Sequence, residues 1–336
     1  MKKLLILIFI LSSLLAVTIF YNYKDRIYNK LESYYLQFQI SQIQKNQELN
    51  TFKAFGINSK QKISHEFDNF KFDTDFYITN AWGDKGFEPE QFIQPYGTML
   101  YDNFLFISDC RKGKIMIFDT ETNELVSSIG YGWGQDDGFL DYPADISLNK
   151  LNVNDNHFEF DKIFVVEEKT HRISVFDINS GEFLMSYGDF GQGDGQFNNP
   201  LGIEVDYDNN VWVVDYGNNR LQKFDQDFNH LLTIGSQGNG IYQFNEPYYM
   251  TIDEDNNIYI VDRGNNRVSV YDSLGNFQFN FGEQGSKDGQ FNYPHEIVYK
   301  GGRIFIADYN NHRIQIFDKS GNFIGKFGNS TLLSGP

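Results

Sequence analysis

The sequence predicts an all-β fold built from repeated four-stranded units, and three features of the 336-residue chain support this. Aromatic residues make up 17% of the chain alongside 30 glycines, a composition that favours short strands and tight turns. Similar segments recur after five prolines spaced 48, 57, 47 and 47 residues apart: Pro95, Pro143, Pro200, Pro247 and Pro294. Within each unit, four short apolar segments are separated by turn residues.

The third unit shows the four predicted strands most clearly, as IEVDYD, VWVVD, RLQKFD and LLTIG. A small antiparallel sheet of this kind cannot bury both of its faces alone. The second strand of each unit is apolar at almost every position, so it needs cover on both faces. Stacking the sheets face to face in a ring meets that demand, and the sequence therefore predicts a β-propeller.

An acid and a base lie five positions apart between the second and third strands of every unit. The pairs are Asp109 and Lys114, Glu167 and Arg172, Asp215 and Arg220, Asp262 and Arg267, and Asp308 and Arg313. Facing each other across a hairpin, opposite charges contribute roughly 0.2 to 1 kcal/mol. A second recurring residue, a phenylalanine shortly before each proline, is the predicted plug between neighbouring sheets: Phe92, Phe139, Phe197, Phe244 and Phe291.

We predict six blades, because the segment before Pro95 copies the end of a unit although the last unit already has its own fourth strand. The stretch KISHEFD, residues 62 to 68, resembles RISVFD at 172 to 177. A degenerate first blade would come from about residues 50 to 83, which gives a propeller domain over residues 50–336.

Residues 1–23 are predicted to form a transmembrane anchor. Leu4 to Phe20 contains no charge, and its 17 residues would give roughly 25 Å of helix against a hydrocarbon core of ~30 Å. A cleaved signal peptide is the alternative, but small residues at a cleavage site are missing. Residues 24–49 read as a helical stalk or linker, although alternating apolar residues from Tyr34 to Ile40 leave a strand open. We expect the propeller to lie outside the cytoplasm.

The formal charge of −17 argues against nucleic acid as a partner, because that affinity depends on Lys and Arg displacing counterions. Cys110 is the only cysteine, so the chain can form neither an internal disulfide nor a multi-cysteine zinc site.

The segments VWVVDYGNNRLQKFD and IYIVDRGNNRVSVYD, with their copies from residue 95 to 328, resemble the NHL repeat. The resemblance implies a six-bladed propeller, and family functions that include RNA binding, protein binding, extracellular sensing and a zinc-dependent lyase branch. That branch has zinc-binding histidines directly after the inner-strand prolines, and here only His295 matches this pattern. Arg263 and Tyr216 stand in loops where the same branch carries functional Arg and Tyr residues.

One face of the propeller should carry both the starts of the inner strands and the loops between second and third strands. The candidate binding residues on this face are Tyr96, Asp145, Tyr216, Tyr248, Arg263, His295, Glu296 and Tyr309. We therefore predict a membrane-anchored, non-catalytic module that binds a protein, peptide or glycan, with no cofactor and no metal. The alternative is a propeller enzyme of the lyase or lactonase type, with a divalent metal ion in the central channel.

Overall fold

The computed structural model describes residues 62–63, 76–77, 85–149, 151–152, 158–159 and 161–328. The predicted anchor and stalk, residues 1–23 and 24–49, lie outside these residues. Within the described part of the chain, no helix has both the length and the apolar character needed to cross a membrane.

The prediction of six blades was wrong, because the described residues form five four-stranded sheets. In place of a further blade, β1 (Lys62–Ile63) and β2 (Phe76–Tyr77) make an antiparallel ladder of only two residues per strand. The similarity of residues 62 to 68 to a third strand coincides with an observed strand only at Lys62–Ile63. It carried no information on whether two further strands complete a sheet.

Each of the five blades is an antiparallel sheet that begins at one of the repeated prolines or just after it. Blade 1 contains β3 (Pro95–Tyr101), β4 (Phe104–Asp109), β5 (Lys114–Asp119) and β6 (Leu125–Ile129). Blade 2 contains β7 (Pro143–Leu148), β10 (Lys162–Glu167), β11 (Arg172–Asp177) and β12 (Phe183–Tyr187), and its long first connection carries the small ladder of β8 (Leu151–Asn152) and β9 (Phe158–Glu159). Blade 3 contains β13 (Ile203–Val205), β14 (Val211–Asp215), β15 (Arg220–Phe224) and β16 (His230–Ile234). Blade 4 contains β17 (Pro247–Ile252), β18 (Ile258–Asp262), β19 (Arg267–Tyr271) and β20 (Phe277–Phe281). Blade 5 contains β21 (Pro294–Lys300), β22 (Arg303–Asp308), β23 (Arg313–Asp318) and β24 (Phe323–Phe327).

The core lies between the blades. The inner strands contact one another in the order β3, β7, β13, β17 and β21. Every residue of β14 and β18 is buried, which confirms the expectation that the second strand is covered on both faces. The second strand is apolar at almost every position because it lies between two neighbouring sheets.

In blades 2 to 5 the repeated acid and base form an ion pair in which the acid is buried, and the base also holds a neighbouring loop. Arg220 Nε lies 2.7 Å from Asp215 Oδ2, and both side chains are buried. The guanidinium also donates to the carbonyl oxygens of Gln192, Gly193 and Gln196, in the loop that crosses from blade 2 to blade 3. Arg267 and Arg313 repeat this arrangement in blades 4 and 5. Each pair therefore fixes the crossing loop that enters its blade.

The plug residues are confirmed in four blades and corrected in one. Phe92, Phe197, Phe244 and Phe291 are buried, whereas the residue buried at this position in blade 2 is Leu140. Leu140 pairs with Trp133 in the same isolated bridge that Phe197 makes with Phe190. Phe139 is only partly buried, since Leu140 is the residue that stands three positions before the proline in this unit.

Replacing Ser269 with alanine is expected to raise the free energy of unfolding by about 1 kcal/mol, because its buried Oγ has no hydrogen-bond partner among the described residues. The equivalent Gln222 and Gln315 both bond to backbone atoms of their crossing loops. Ser174, at the same position in blade 2, is the matched control, since its Oγ lies 2.6 Å from Glu167 Oε1. Urea denaturation of the full-length chain should show Ser174→Ala losing stability; a loss of the same size in Ser269→Ala would contradict the prediction.

Candidate functional site

The starts of the inner strands and the loops between second and third strands lie at one end of the propeller, called here the upper face. Strand pairing brings them together, because Pro247 is opposite Asp262 and Pro294 is opposite Asp308. The loops that follow β14, β18 and β22 are short 3-10 helices that place Tyr216, Arg263 and Tyr309 on this face. Each helix ends at a residue with left-handed backbone geometry.

A cluster of aromatic and basic side chains lies on the upper face across blades 3, 4 and 5. We call it the tyrosine–arginine patch, and it contains Tyr216, Tyr248, Arg263, Tyr293, His295 and Tyr309. The Arg263 guanidinium carbon lies 4.3 Å from the Tyr248 ring centroid and 4.6 Å from that of Tyr293. Cation–π contacts of this kind contribute about 0.5–2 kcal/mol each, so two of them hold Arg263 in place.

Polar contacts fix the edges of the same guanidinium. Arg263 Nη2 lies 2.9 Å from Glu246 Oε2, which also accepts a hydrogen bond from the Tyr293 hydroxyl. Arg263 Nη1 lies 3.2 Å from His295 Nε2. Because a guanidinium only donates, His295 Nε2 is the acceptor, and the neutral ring carries its proton on Nδ1.

His295 is neutral and firmly placed. Burial and the nearby Arg263 charge lower the pKa of His295 to about 4. Its ring is stacked on Tyr309 with a centroid distance of 4.4 Å and an interplanar angle of 9°. The two rings therefore present a rigid, uncharged aromatic surface.

Tyr96 joins this patch from across the propeller axis. Its hydroxyl oxygen lies 2.5 Å from that of Tyr248, which links blade 1 to blade 4. Burial raises the pKa of both hydroxyls, so they are neutral at physiological pH. The neighbouring Tyr249 hydroxyl donates to the carbonyl oxygen of Ala144 in blade 2.

Asp145 and Glu296 are not part of the patch; they stand one position further along their inner strands. The Asp145 carboxylate accepts hydrogen bonds from the backbone N–H groups of Ile146 and Ile203, and so ties blade 2 to blade 3. Burial and the nearby Glu296 raise the pKa of Asp145. Burial and Glu204 raise the pKa of Glu296 to about 8. The structure therefore brings six of the eight predicted residues together and sets two apart as an interior carboxylate group.

The raised pKa of Glu296 makes stability depend on pH. The folded chain binds a proton here that the unfolded chain releases above about pH 4.5, so this contribution is full below that pH and is lost as pH rises through about 8. Glu296→Gln is expected to be more stable than the wild type at pH 8, with a smaller difference at pH 5. Urea denaturation at the two pH values measures this, and an equal difference at both would contradict it.

The sequence analysis missed Tyr293, which belongs to the patch, and Glu246, which forms an ion pair with Arg263. Both directly precede an inner-strand proline and adopt positive φ angles of 55° and 60°. Their N–H groups donate to the side-chain oxygens of Asn219 and Asn266, each in the preceding blade. The sequence could have indicated both residues. When the units are aligned on their prolines, Glu246 and Tyr293 occupy the same position, directly before the inner strand that begins at the candidate face.

His295 was considered as a zinc ligand because of its position after Pro294. Within the described ranges, no group of three or more His, Cys, Asp or Glu side chains is arranged to hold a metal ion. The hypothesis of a metal-dependent enzyme stays a prediction.

The NHL repeat model matches residues 197–224 and 291–317, which contain the plug phenylalanine, the ion pair and most of the first three strands of blades 3 and 5. The chain carries NHL repeats in these two segments. Its described residues form five blades, and not the six that the resemblance implies.

Several solved structures share this propeller fold at low sequence identity. A chain of the nidogen/laminin complex has a TM-score of 0.54 and 18% identity, covering 71% of this chain and 81% of that one. A streptogramin B lyase has a TM-score of 0.51 and 16% identity, covering 70% and 68%. Virginiamycin B lyase from Staphylococcus aureus has a TM-score of 0.50 and 15% identity, covering 70% of each chain. No curated protein sequence is significantly similar to this chain. At these identities the likeness establishes the fold alone.

Proposed function

We propose that this NHL-repeat propeller is a non-catalytic module that binds a protein or peptide through its tyrosine–arginine patch. The observation that carries the proposal is the position of Arg263 between the rings of Tyr248 and Tyr293. Tyrosine and arginine are the residue types that most often dominate binding energy at protein interfaces.

The rigidity of the patch supports this function. Glu246 and His295 hold the edges of the guanidinium, and Tyr309 is stacked on His295. Side chains that are already ordered lose little conformational entropy when a partner binds. Tyr309 remains 37% exposed, so part of the patch is accessible.

Charge supports a protein or peptide over a nucleic acid. Glu246 neutralises Arg263, His295 is uncharged, and the whole chain carries a formal charge of −17. Phosphate backbones require clusters of unpaired cations. The presence of a nidogen/laminin complex chain among the fold neighbours is consistent with a propeller that binds protein.

Site-specific photo-crosslinking of the full-length chain in its native cells tests the proposal. A photo-reactive phenylalanine analogue replaces Tyr309 on the upper face or, as a matched control, Tyr207, which is 38% exposed between β13 and β14 at the opposite end. We expect a crosslinked adduct of defined mass from position 309 and none of that mass from position 207.

Arg263→Ala in the same chain should reduce the yield of that adduct by about tenfold or more, as expected for a residue at the centre of an interface. The same adducts from both positions, or an adduct whose yield does not respond to Arg263→Ala, would contradict the proposal.

A further inference from the structure

Two adjacent crossing loops of the upper face differ from the other three. Trp133 and Phe190 occupy one equivalent position, defined by the bridges Trp133–Leu140 and Phe190–Phe197. They are 63% and 66% exposed. The residues at this position in the remaining loops are polar: Lys85, Gln237 and Gln284. Since the fold accepts polar residues here, it does not require the two aromatic rings.

Both rings are held in place by neighbouring side chains. The Trp133 indole N–H donates to Asp141 Oδ1 at 3.0 Å. The Phe190 ring lies 5.0 Å from the His171 ring, and His171 Nδ1 in turn accepts the N–H of Asn199. Exposed apolar rings that are fixed in this way are typical of contact surfaces.

The hairpin of residues 167–172 in blade 2 makes the two loops one surface. Arg172 donates to the carbonyl oxygens of Asp136 and Phe139 in the first loop. His171 contacts Phe190 in the second loop. The hairpin therefore touches both loops. It has no net charge, because it contains two acidic and two basic side chains.

The loops themselves are strongly acidic. Residues 130–142 and 188–199 contain no Lys, Arg or His. They carry four exposed carboxylates: Asp136, Asp137, Asp189 and Asp194. Asp194 has His230 3.6 Å away, and Asp189 accepts a hydrogen bond from Gln196. No strong ion pair neutralises this group among the described residues.

We propose that these two crossing loops form a docking surface for an arginine-rich segment of a partner protein. A guanidinium can stack on an indole or phenyl face while it pairs with a nearby carboxylate. Trp133 and Phe190 supply the faces, and the four aspartates supply the charge. The surface shares no residue with the tyrosine–arginine patch.

Fluorescence anisotropy with a labelled peptide of alternating arginine and glycine, at about 150 mM salt, tests this on the full-length chain. The double variant Trp133→Gln/Phe190→Gln copies Gln237 and Gln284, so the fold tolerates it and the net charge is unchanged. We expect it to bind the peptide at least tenfold more weakly than the wild type. Unchanged affinity in this variant, or no binding of the peptide by the wild type, overturns the proposal.

A charge-matched comparison separates docking from general attraction to an acidic protein. Asp136→Asn/Asp189→Asn and Asp227→Asn/Glu283→Gln each remove two negative charges, and the second pair lies away from the two loops. We expect the first pair to weaken binding several-fold and the second to leave Kd within twofold. An equal effect of the two pairs also overturns the proposal.

Discussion

Asp215→Ala is expected to lower the free energy of unfolding by about 3–5 kcal/mol, because it leaves the buried Arg220 guanidinium without its counter-ion. The carboxylate also accepts hydrogen bonds from Asn198 N and Asn218 Nδ2, which lose their acceptor. Burial raises the pKa of Asp215 in spite of these contacts. The charged carboxylate is therefore stable in the interior only while all of these partners are present. Urea denaturation of the full-length chain, followed by circular dichroism, measures the change.

The control for this substitution is Asp227→Ala, since Asp227 is an exposed acid of the same blade. It should change stability by no more than about 0.5 kcal/mol. A loss below about 1 kcal/mol in Asp215→Ala would show that the ion pair does not hold the crossing loop as described.

Phe291→Ala is expected to cost about 3–5 kcal/mol, the usual range for a fully buried phenylalanine. The ring packs 5.6 Å from that of Phe317, between the crossing loop and blade 5. The fit is close on the loop side as well, because a Cβ at Gly282 would lie 2.3 Å from the ring. A cavity left here cannot be filled by neighbouring side chains without moving the loop.

Phe190→Ala is the matched control, because Phe190 lies in an equivalent loop but is mostly exposed. Its effect should stay within about 0.5 kcal/mol. Thermal or urea unfolding measures the loss of stability in both variants. An equal loss in Phe190→Ala and Phe291→Ala would contradict the assignment of the buried phenylalanines as plugs between blades.

The blade architecture was predictable from the sequence because each blade repeats the same physical demands. The proline spacing, the doubly buried second strand and the acid and base five positions apart all correspond to observed features. The number of blades was not predictable, since strand-like letters before Pro95 do not reveal how many strands pair. The plug in blade 2 was misplaced by one residue, because the aromatic Phe139 concealed the structural equivalence of Leu140.

The composition of the candidate site was only partly predictable. Topology alone places Tyr216, Arg263 and Tyr309 on one face, since antiparallel pairing puts their loops beside the inner-strand starts. The position of Arg263 between two rings also depends on Tyr293. The left-handed backbone of Tyr293 directs its side chain toward the patch, and the residue type alone does not indicate this conformation. The contact between Tyr96 and Tyr248 spans 152 positions and follows only from the arrangement of the blades around the axis.

The most direct test of this account is a double-mutant cycle on Tyr96 and Tyr248, because their hydroxyls meet only if blades 1 and 4 converge at the axis. Either single change to phenylalanine leaves one buried hydroxyl without its partner, whereas the double change removes both. We predict a coupling free energy of at least about 1 kcal/mol, with the double variant no less stable than the worse single variant. Additive effects to within about 0.5 kcal/mol would place the two side chains apart and contradict the arrangement of the upper face.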